Sequence, residues 1–433
     1  MKVLILDGSP EADITGARIR VALTDALAAR GWNVNHIQLR DTKIGNCAGD
    51  FFCWIRNPGM CNVADANRTI AAEIVDSDLL VYLTPVIFGG YSYQLKKMVD
   101  HQIQNVEPFF ARHAGETHHR KRYPHYPDFL VVGWMENDDP QEAAVFRYLA
   151  YRNALNFYAK NALCDILMTG QSDEAIRSAA QGWLDSLANG HAPRRIELPQ
   201  ACAAAPAALP PERAVLLVGS PRTRKSSSYA LGGYLFDKLA ESHVQTKTFF
   251  IHTSLYSPER MQALLEAVEA ADLVMLAFPL YVDSLPAPVM AALERIADRR
   301  AGHDSPHGRF AALANCGFPE AAHNRTGLAV CETFARQAGF AWAGALALGA
   351  GEGLVHGQPL AQAGGPAIPI KQALDQAASA LVQGQAIPQS AADLLARPLI
   401  PGWLYRIMGT YGWRQQARQY GVQNRMHHRP YLP

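Results

Sequence analysis

Apolar and polar positions follow two rhythms along this chain, and the same succession of rhythms occurs twice. In the first half, strands are predicted near 2–7, 33–38, 79–84, 128–134 and 163–168. Helical spacing fills the intervals near 15–30, 65–76, 91–105, 140–160 and 172–189. In the second half, strands are predicted near 214–218, 246–251, 273–278, 309–315 and 342–348, with helices near 227–242, 258–270, 286–299, 322–338 and 369–383. A run that is apolar at every position suits a strand buried on both faces, as in a parallel sheet. Five such strands alternating with helices predict an α/β, doubly wound, five-stranded parallel sheet in each half.

Short motifs carry the same duplication. "KVLILDGSP" and "AVLLVGSP" are each an apolar run ending in Gly-Ser-Pro. "SDLLVYLTPV" and "ADLVMLAFPL" each run from an aspartate to a proline seven residues on, Asp78 to Pro85 and Asp272 to Pro279. Ser9 to Pro85 spans 76 residues and Ser220 to Pro279 only 59, so the first copy carries an insertion of about the length of its cysteine segment, "CAGDFFCWIRNPGMC". Residues 191–212 are rich in Ala and Pro and read as a linker. The organisation expected is a first domain over 1–190, that linker, a second domain over 213–390 and a C-terminal aromatic and basic extension over 391–433.

Composition narrows the classes. With 49% hydrophobic residues and no apolar stretch of about 18 residues, no integral membrane segment is expected. A net charge of +1 without a basic stripe gives no electrostatic case for nucleic acid. No signal peptide is read at the start, and seven unevenly spread cysteines do not form a disulfide framework, so a reducing, cytoplasmic setting is expected.

Ligands of open parallel sheets bind beyond the carboxyl ends of the strands. In the second copy the first such turn, "GSPRTRKSSSYA", combines hydroxyls at Ser220, Ser226 and Ser228 with the charge of Arg222 at a helix start, which suits a phosphate monoester. A serine-capped helix without ligand explains the serines equally well. No Walker or Gly-x-Gly-x-x-Gly motif is present there. In the first copy, aligned on Gly-Ser-Pro, Glu11 replaces Arg222, Thr15 replaces Ser226 and Ala17 replaces Ser228, which weakens the anion site. The next loop reverses the ranking: "TPVIFGGYSYQLKKMVD" offers Phe88, Gly89, Gly90 and Tyr91 to a flat ligand, against Tyr281, Asp283 and Ser284 in "FPLYVDSLPAPVMAALER". With a third loop after the fourth strand, "GWMENDD" or "NCGFPEAAHN", the rim suits a phosphate plus a flat ring, as in FMN.

These motifs resemble the NAD(P)H-dependent FMN reductases of the flavodoxin-like superfamily. The first half, with its cysteine segment and "TPVIFGGYSYQLKKMVD", is similar to the branch of iron–sulfur flavoproteins and quinone reductases. The resemblance implies two tandem flavodoxin-like domains and FMN held by three loops. The phosphate loop is then Ser220, Arg222, Ser226 and Ser228, or Ser9 and Thr15. The ring loop is Pro279, Leu280, Tyr281 and Asp283, or Pro85, Val86, Phe88, Gly89 and Gly90. Asn315, Cys316 and Gly317 supply the third loop. The reductant implied is NADPH or NADH and the partner a small-molecule electron acceptor, such as a flavin or quinone. No side-chain acid or base is nominated, because the cofactor carries the chemistry. A flavodoxin-like electron carrier, or a scaffold with degenerate sites, is the alternative.

A four-iron cluster needs four thiolates. Only Cys47, Cys53 and Cys61 are present, with Asp50 where an intermediate cysteine would stand, so the segment is read as a cluster-less loop and no metal is assigned. "ETHHRKRYPHYP" reads as a solvated loop whose Arg120 and Arg122 are candidates for the 2′-phosphate of NADPH. The stretch 344–360, with His356, reads as a cover or long turn. The tail after 397, with Trp403, Tyr405, Tyr411 and Trp413 among arginines, is expected to pack as an extension and to serve a homo-oligomer contact.

Overall fold

The computed structural model describes residues 1–200, 203–302, 307–355, 357–365 and 367–432; Cys202 and His356 lie outside the described residues. Contacts divide the chain into two units. One comprises Met1–Cys47, Phe51–Pro199 and Arg406–Pro433, the other Ala48–Asp50 and Gln200–Tyr405.

The first unit is built on strands β1 (Lys2–Asp7), β2 (Asn33–Gln38), β3 (Leu79–Ile87), β4 (Gly90–Tyr91), β5 (Val106–His113), β6 (Glu116–Lys121), β7 (Asp128–Met135) and β8 (Ala162–Met168). Its helices are α1 (Ile14–Ala29), α2 (Phe52–Ile55), α3 (Ala66–Asp76), α4 (Tyr93–His101), α5 (Pro140–Asn156) and α6 (Asp173–Ala188). Five strands run parallel in the order β2-β1-β3-β7-β8, with β4 folding back antiparallel on the end of β3. Val3, Ile5, Leu79, Val81, Leu130 and Val132 are buried beneath α1 and α6 with Leu23, Leu27 and Trp183. Tyr82 and Phe129 are buried in an edge-to-face pair.

The second unit repeats the plan with β9 (Arg213–Val218), β10 (Gln245–Phe250), β11 (Leu273–Pro279), β12 (Arg309–Asn315) and β13 (Ala341–Leu348), all parallel, in the order β10-β9-β11-β12-β13. Helices α7 (Ser227–Glu241), α8 (Ile251–Ser254), α9 (Pro258–Glu269), α10 (Ala287–Arg300), α11 (Arg325–Gln337), α12 (Gly351–Val355), α13 (Ala367–Val382) and α14 (Gln389–Ala396) follow in sequence; α15 (Gly402–Arg418) comes last and from Arg406 onward belongs to the first unit. Every residue of β12 is buried, as its unbroken apolar run requires of a central strand. Both strand orders reverse direction between the first and third strands, the doubly wound arrangement expected of flavodoxin-like sheets. Among the described residues no helix is long and apolar enough to cross a membrane.

One sequence expectation is corrected. The segment around 116–122 is not a solvated loop. It is the second strand of an antiparallel β5–β6 ribbon, with His118 and Arg122 fully buried. A guanidinium survives burial only with its donors satisfied. Arg122 donates to the carbonyls of Val106, Met426 and His428 at 2.7–3.3 Å, and burial lowers its pKa from the ordinary arginine value. Arg122 is therefore committed to the backbone and not offered to a nucleotide; Arg120 is the exposed one. The C-terminal segment is drawn into the same cluster, where Ala417 and Met426 are buried with Cys53, Trp54 and Phe109.

Substituting Arg122 by Met should destabilise the first unit by about 2–4 kcal/mol, because three carbonyls lose charged donors in a buried place. A urea titration and the rate of proteolytic release of the C-terminal segment would measure this.

Candidate functional site

The register of each sheet brings equivalent residues to the carboxyl rim. Pro85 at the end of β3 pairs with Trp134 on β7, and Pro279 at the end of β11 pairs with Asn315 on β12. Beyond each proline the chain makes the same tight turn, with φ of 54° and 79° at Phe88 and Gly89 and of 44° and 61° at Val282 and Asp283. Two successive positive φ angles are the signature of the turns that match strand twist. Glycine takes the second position without strain in the first copy. Val282, β-branched, holds an unfavourable conformation in the second, a kind of strain that clusters at ligand sites.

In the second copy the phosphate turn is rich in donors. Ser226 caps α7, its Oγ accepting from the Tyr229 N–H at 3.1 Å. Ser220 Oγ accepts from the Arg222 N–H at 3.3 Å, and the Asn315 amide donates to Ser228 Oγ at 2.9 Å and to the Phe278 carbonyl at 3.1 Å. Arg222 reaches over this turn to the Glu352 carboxylate at 2.6 Å, an ion pair whose side chains remain 29% and 35% exposed. Ser227 Oγ donates to the Gly351 carbonyl at 3.2 Å, so the segment around 351 lies against the start of α7. On the ring loop, Tyr281 and Ser284 pair as a bridge, Leu280 N–H donates to the Asn315 carbonyl at 2.8 Å and Asp283 is buried. Ser284 Oγ and, at the start of α11, Thr326 Oγ1 are buried without a hydrogen-bond partner. Such orphaned hydroxyls ask for a ligand or water. Cys316 serves the third loop through its backbone: burial pushes its thiol up to about 12, and its sulfur faces the Phe318 and Glu320 carbonyls. The Gly317 carbonyl accepts from the Tyr405 hydroxyl at 2.8 Å.

The first copy is organised differently. Its first helix is capped by a carboxylate: Asp13 Oδ1 accepts from the Gly16 N–H at 2.8 Å, and Asp13 Oδ2 accepts from the Trp134 indole N–H at 2.9 Å. Ser9 gives its hydroxyl proton to Asp7, which also faces His36 at 3.1 Å and Arg20 at 3.7 Å. Burial works against the Asp7 charge, yet the hydrogen bonds from His36 and Ser9 bring its pKa below the ordinary carboxylate range. Thr15 is buried in the first turn of α1. On the ring loop the Gly89 N–H donates to the Glu142 carboxylate of α5 at 3.0 Å, Phe88 is 7% exposed, and the Tyr91 hydroxyl donates to Asn153 at 3.0 Å. Pro85, Val86 and Gly90 lie in the β3–β4 hairpin that carries this loop.

The caps also correct the residue correspondence read from Gly-Ser-Pro. Asp13 and Ser226 hold the same capping position, so the first turn is two residues shorter and Thr15 answers to Ser228. The sequence reasoning passed over Asp13, Trp134, Glu142, Glu352 and Ser227. Asp13 was within reach of it, since an aspartate just before a helical run is a strong N-cap signal. The others depend on contacts distant in sequence. In the cysteine segment, Cys53 is buried while Cys47 and Cys61 are partly exposed. The buried His101 donates from Nε2 to the Gly45 carbonyl at 2.9 Å; burial opposes its charge, but the adjoining Cys61 sulfur raises its pKa above the ordinary histidine value. Among the described residues no group of three or more Cys, His, Asp or Glu is placed to hold a metal ion.

Comparison with known proteins gives this geometry a family. An iron–sulfur flavoprotein of Methanocaldococcus jannaschii is 34% identical over 101 residues, 23% of this chain and 51% of the relative, so the match spans about half the length of that curated relative. The NAD(P)H:quinone oxidoreductase from Methanothermobacter marburgensis aligns at 15% identity with a TM-score of 0.34, covering 42% of this chain and 98% of that one. An FMN-dependent NADH-azoreductase from Bacillus anthracis, in complex with FMN, aligns at 13% identity with a TM-score of 0.32, over 43% of this chain and 97% of that one. The family model for NADPH-dependent FMN reductase matches twice, over residues 1–116 and 213–358, together more than half of the sequence. With one match on each sheet, the chain belongs to the NADPH-dependent FMN reductase family.

Proposed function

We propose that this chain is an oxidoreductase that holds FMN on the rim of its second sheet, takes hydride from NADPH or NADH and passes electrons to a small acceptor such as a flavin or quinone. The observation that carries this reading is the turn at 219–228. Three serine hydroxyls and a guanidinium gather at the mouth of α7, where free N–H groups and the helix dipole already favour an anion. Ser220, Arg222, Ser226 and Ser228 would hold the phosphate. Pro279, Leu280, Tyr281 and Asp283 would line the ring, with Asn315, Cys316 and Gly317 closing the third side. The unpartnered Ser284 hydroxyl joins that set.

Bound FMN supplies hydride acceptance and onward electron transfer. The chain's own residues bind, orient and exclude water. Asn315, at the end of the fourth strand, fixes the Ser228 hydroxyl and also donates to the Phe278 carbonyl, which ties the phosphate turn to the strand that carries the ring loop. Arg222 must release Glu352 to engage a phosphate. The exchange is cheap, because a partly exposed pair contributes about 0–1 kcal/mol, whereas a guanidinium–phosphate pair is charge-assisted on both sides and forks onto two oxygens.

The full chain titrated with FMN should take it up, and anaerobic NADPH or NADH should then bleach the visible flavin band. Uptake without bleaching by either nucleotide would leave an electron carrier instead of an oxidoreductase. Arg222→Ala should weaken FMN binding about 10- to 100-fold, the worth of one charged hydrogen-bonded contact. Glu352→Gln, which frees the guanidinium, should tighten it about two- to fivefold. Calorimetry on the purified variants reads both effects.

A further inference from the structure

We infer that the first copy excludes FMN because its own Asp13 carboxylate fills the anion position at the mouth of α1, so that the flavin of this chain resides in the second copy alone. This goes beyond the proposed function, which assigns a group to the second rim without deciding what the first one does.

Three features of the first rim support the exclusion. The first is electrostatic. Asp13 places a carboxylate at the N-terminus of α1, with one oxygen on the Gly16 N–H and the other on the Trp134 indole. A phosphate brought there would find the helix donor taken and a negative charge within a few ångströms. Two unit charges 4 Å apart repel by about 4 kcal/mol near a protein surface. The buried Asp7 carboxylate adds to this and has already claimed the hydroxyl of Ser9, the phosphate-loop serine of this copy.

The second feature is steric. The register that sets Asn315 beside Pro279 sets Trp134 beside Pro85. An amide that braces Ser228 in one copy is thus an indole in the other, 3% exposed and laid against Gly16. The turn it closes over is two residues shorter than its counterpart.

The third feature lies on the ring loop. The N–H of Gly89, the donor best placed for a flat ligand, is bound by the buried Glu142 carboxylate. A Cβ on Gly89 would stand 2.7 Å from Val145 of α5, so the turn is packed onto that helix. Two of the three loops that would hold FMN, the phosphate turn and the ring loop, thus have a protein carboxylate on a donor the ligand would need.

The second copy differs at the phosphate turn: its cap is a neutral serine, its bracing residue is an asparagine, and the Glu352 carboxylate there pairs with the partly exposed Arg222.

The test is flavin stoichiometry on the full chain. Wild-type protein is loaded with excess FMN and desalted, and released flavin is counted against protein. The same is done for Arg222→Glu, which sets two carboxylates together at the second turn, with circular dichroism as the check on folding. The expected results are roughly one FMN per wild-type chain and less than about a tenth of that in Arg222→Glu. Two FMN per wild-type chain, or one retained by folded Arg222→Glu, would overturn the exclusion. Wild-type chains without flavin would agree with exclusion from the first copy and would sink the flavin reading of the second. As a second measurement, Asp13→Ser combined with Trp134→Asn, introduced into Arg222→Glu, installs the second copy's residues on the first rim. With Glu142→Ala added to release the Gly89 N–H, FMN uptake in this variant should rise to a large part of one FMN per chain, and uptake still below about a tenth in folded protein would overturn the exclusion by Asp13.

Discussion

The first turn of the helix that follows each first strand has N–H groups with no partner inside the helix, and something must accept from them. That requirement organises both rims. A parallel sheet covered by helices on both faces leaves only its strand ends for chemistry, and the helix mouth is the most electropositive point there. In the second copy a serine meets the requirement with one neutral oxygen, which leaves room for an anion. In the first copy Asp13 meets it with a carboxylate, which completes the local charge balance without any ligand. Whether a copy of this fold remains a flavin cup is thus decided by the charge of one capping side chain and by the indole or amide that braces it.

Much of the architecture was legible in the sequence because it rests on local periodicity. The inner strands of both sheets correspond to apolar runs, while the edge strands β2 and β10 are mixed in sequence, and the two Gly-Ser-Pro turns and two prolines mark the same rim positions in both copies. What escaped was non-local. The β5–β6 ribbon was hidden because its strands carry His, Arg and Lys, and their polarity suggested solvent. Arg122 is buried only because carbonyls far away in sequence, those of Met426 and His428, accept its protons. The candidate site was half legible. The second copy's phosphate turn was visible as a cluster of hydroxyls and charge, while the pairing of Arg222 with Glu352 joins residues 130 positions apart. In the first copy the motif was found but its correspondence slipped by two residues, because Gly-Ser-Pro was aligned where the helix cap should have been.

The insertion in the first copy serves the core more visibly than it serves chemistry. Trp54 is 1% exposed, and its indole N–H donates to the carbonyls of Ile103 and Val106 at 3.0 Å. Trp413 of the C-terminal segment stands edge-on to it at 5.3 Å. Within this loop Cys53 is buried beside Trp54 as a small apolar group.

The differences between the two rims are not independent substitutions. Gly16 must lack a side chain, because a Cβ there would run into Ser9 Oγ and come within 2.9 Å of the Trp134 ring. The corresponding residue of the second copy, counted from the caps, is Tyr229, whose ring packs against Phe250 at 5.4 Å. The indole at Trp134 in turn needs an acceptor for its N–H, and Asp13 is that acceptor. The shortened turn, the aspartate cap, the glycine and the tryptophan therefore form one packed unit, each member justified by another. A buried polar network of this kind is stable when every member is satisfied and costly when one is removed. Reverting Asp13 alone would leave the buried indole N–H unpaired without opening the space a phosphate needs, so the first copy is held away from flavin binding by packing as well as by charge.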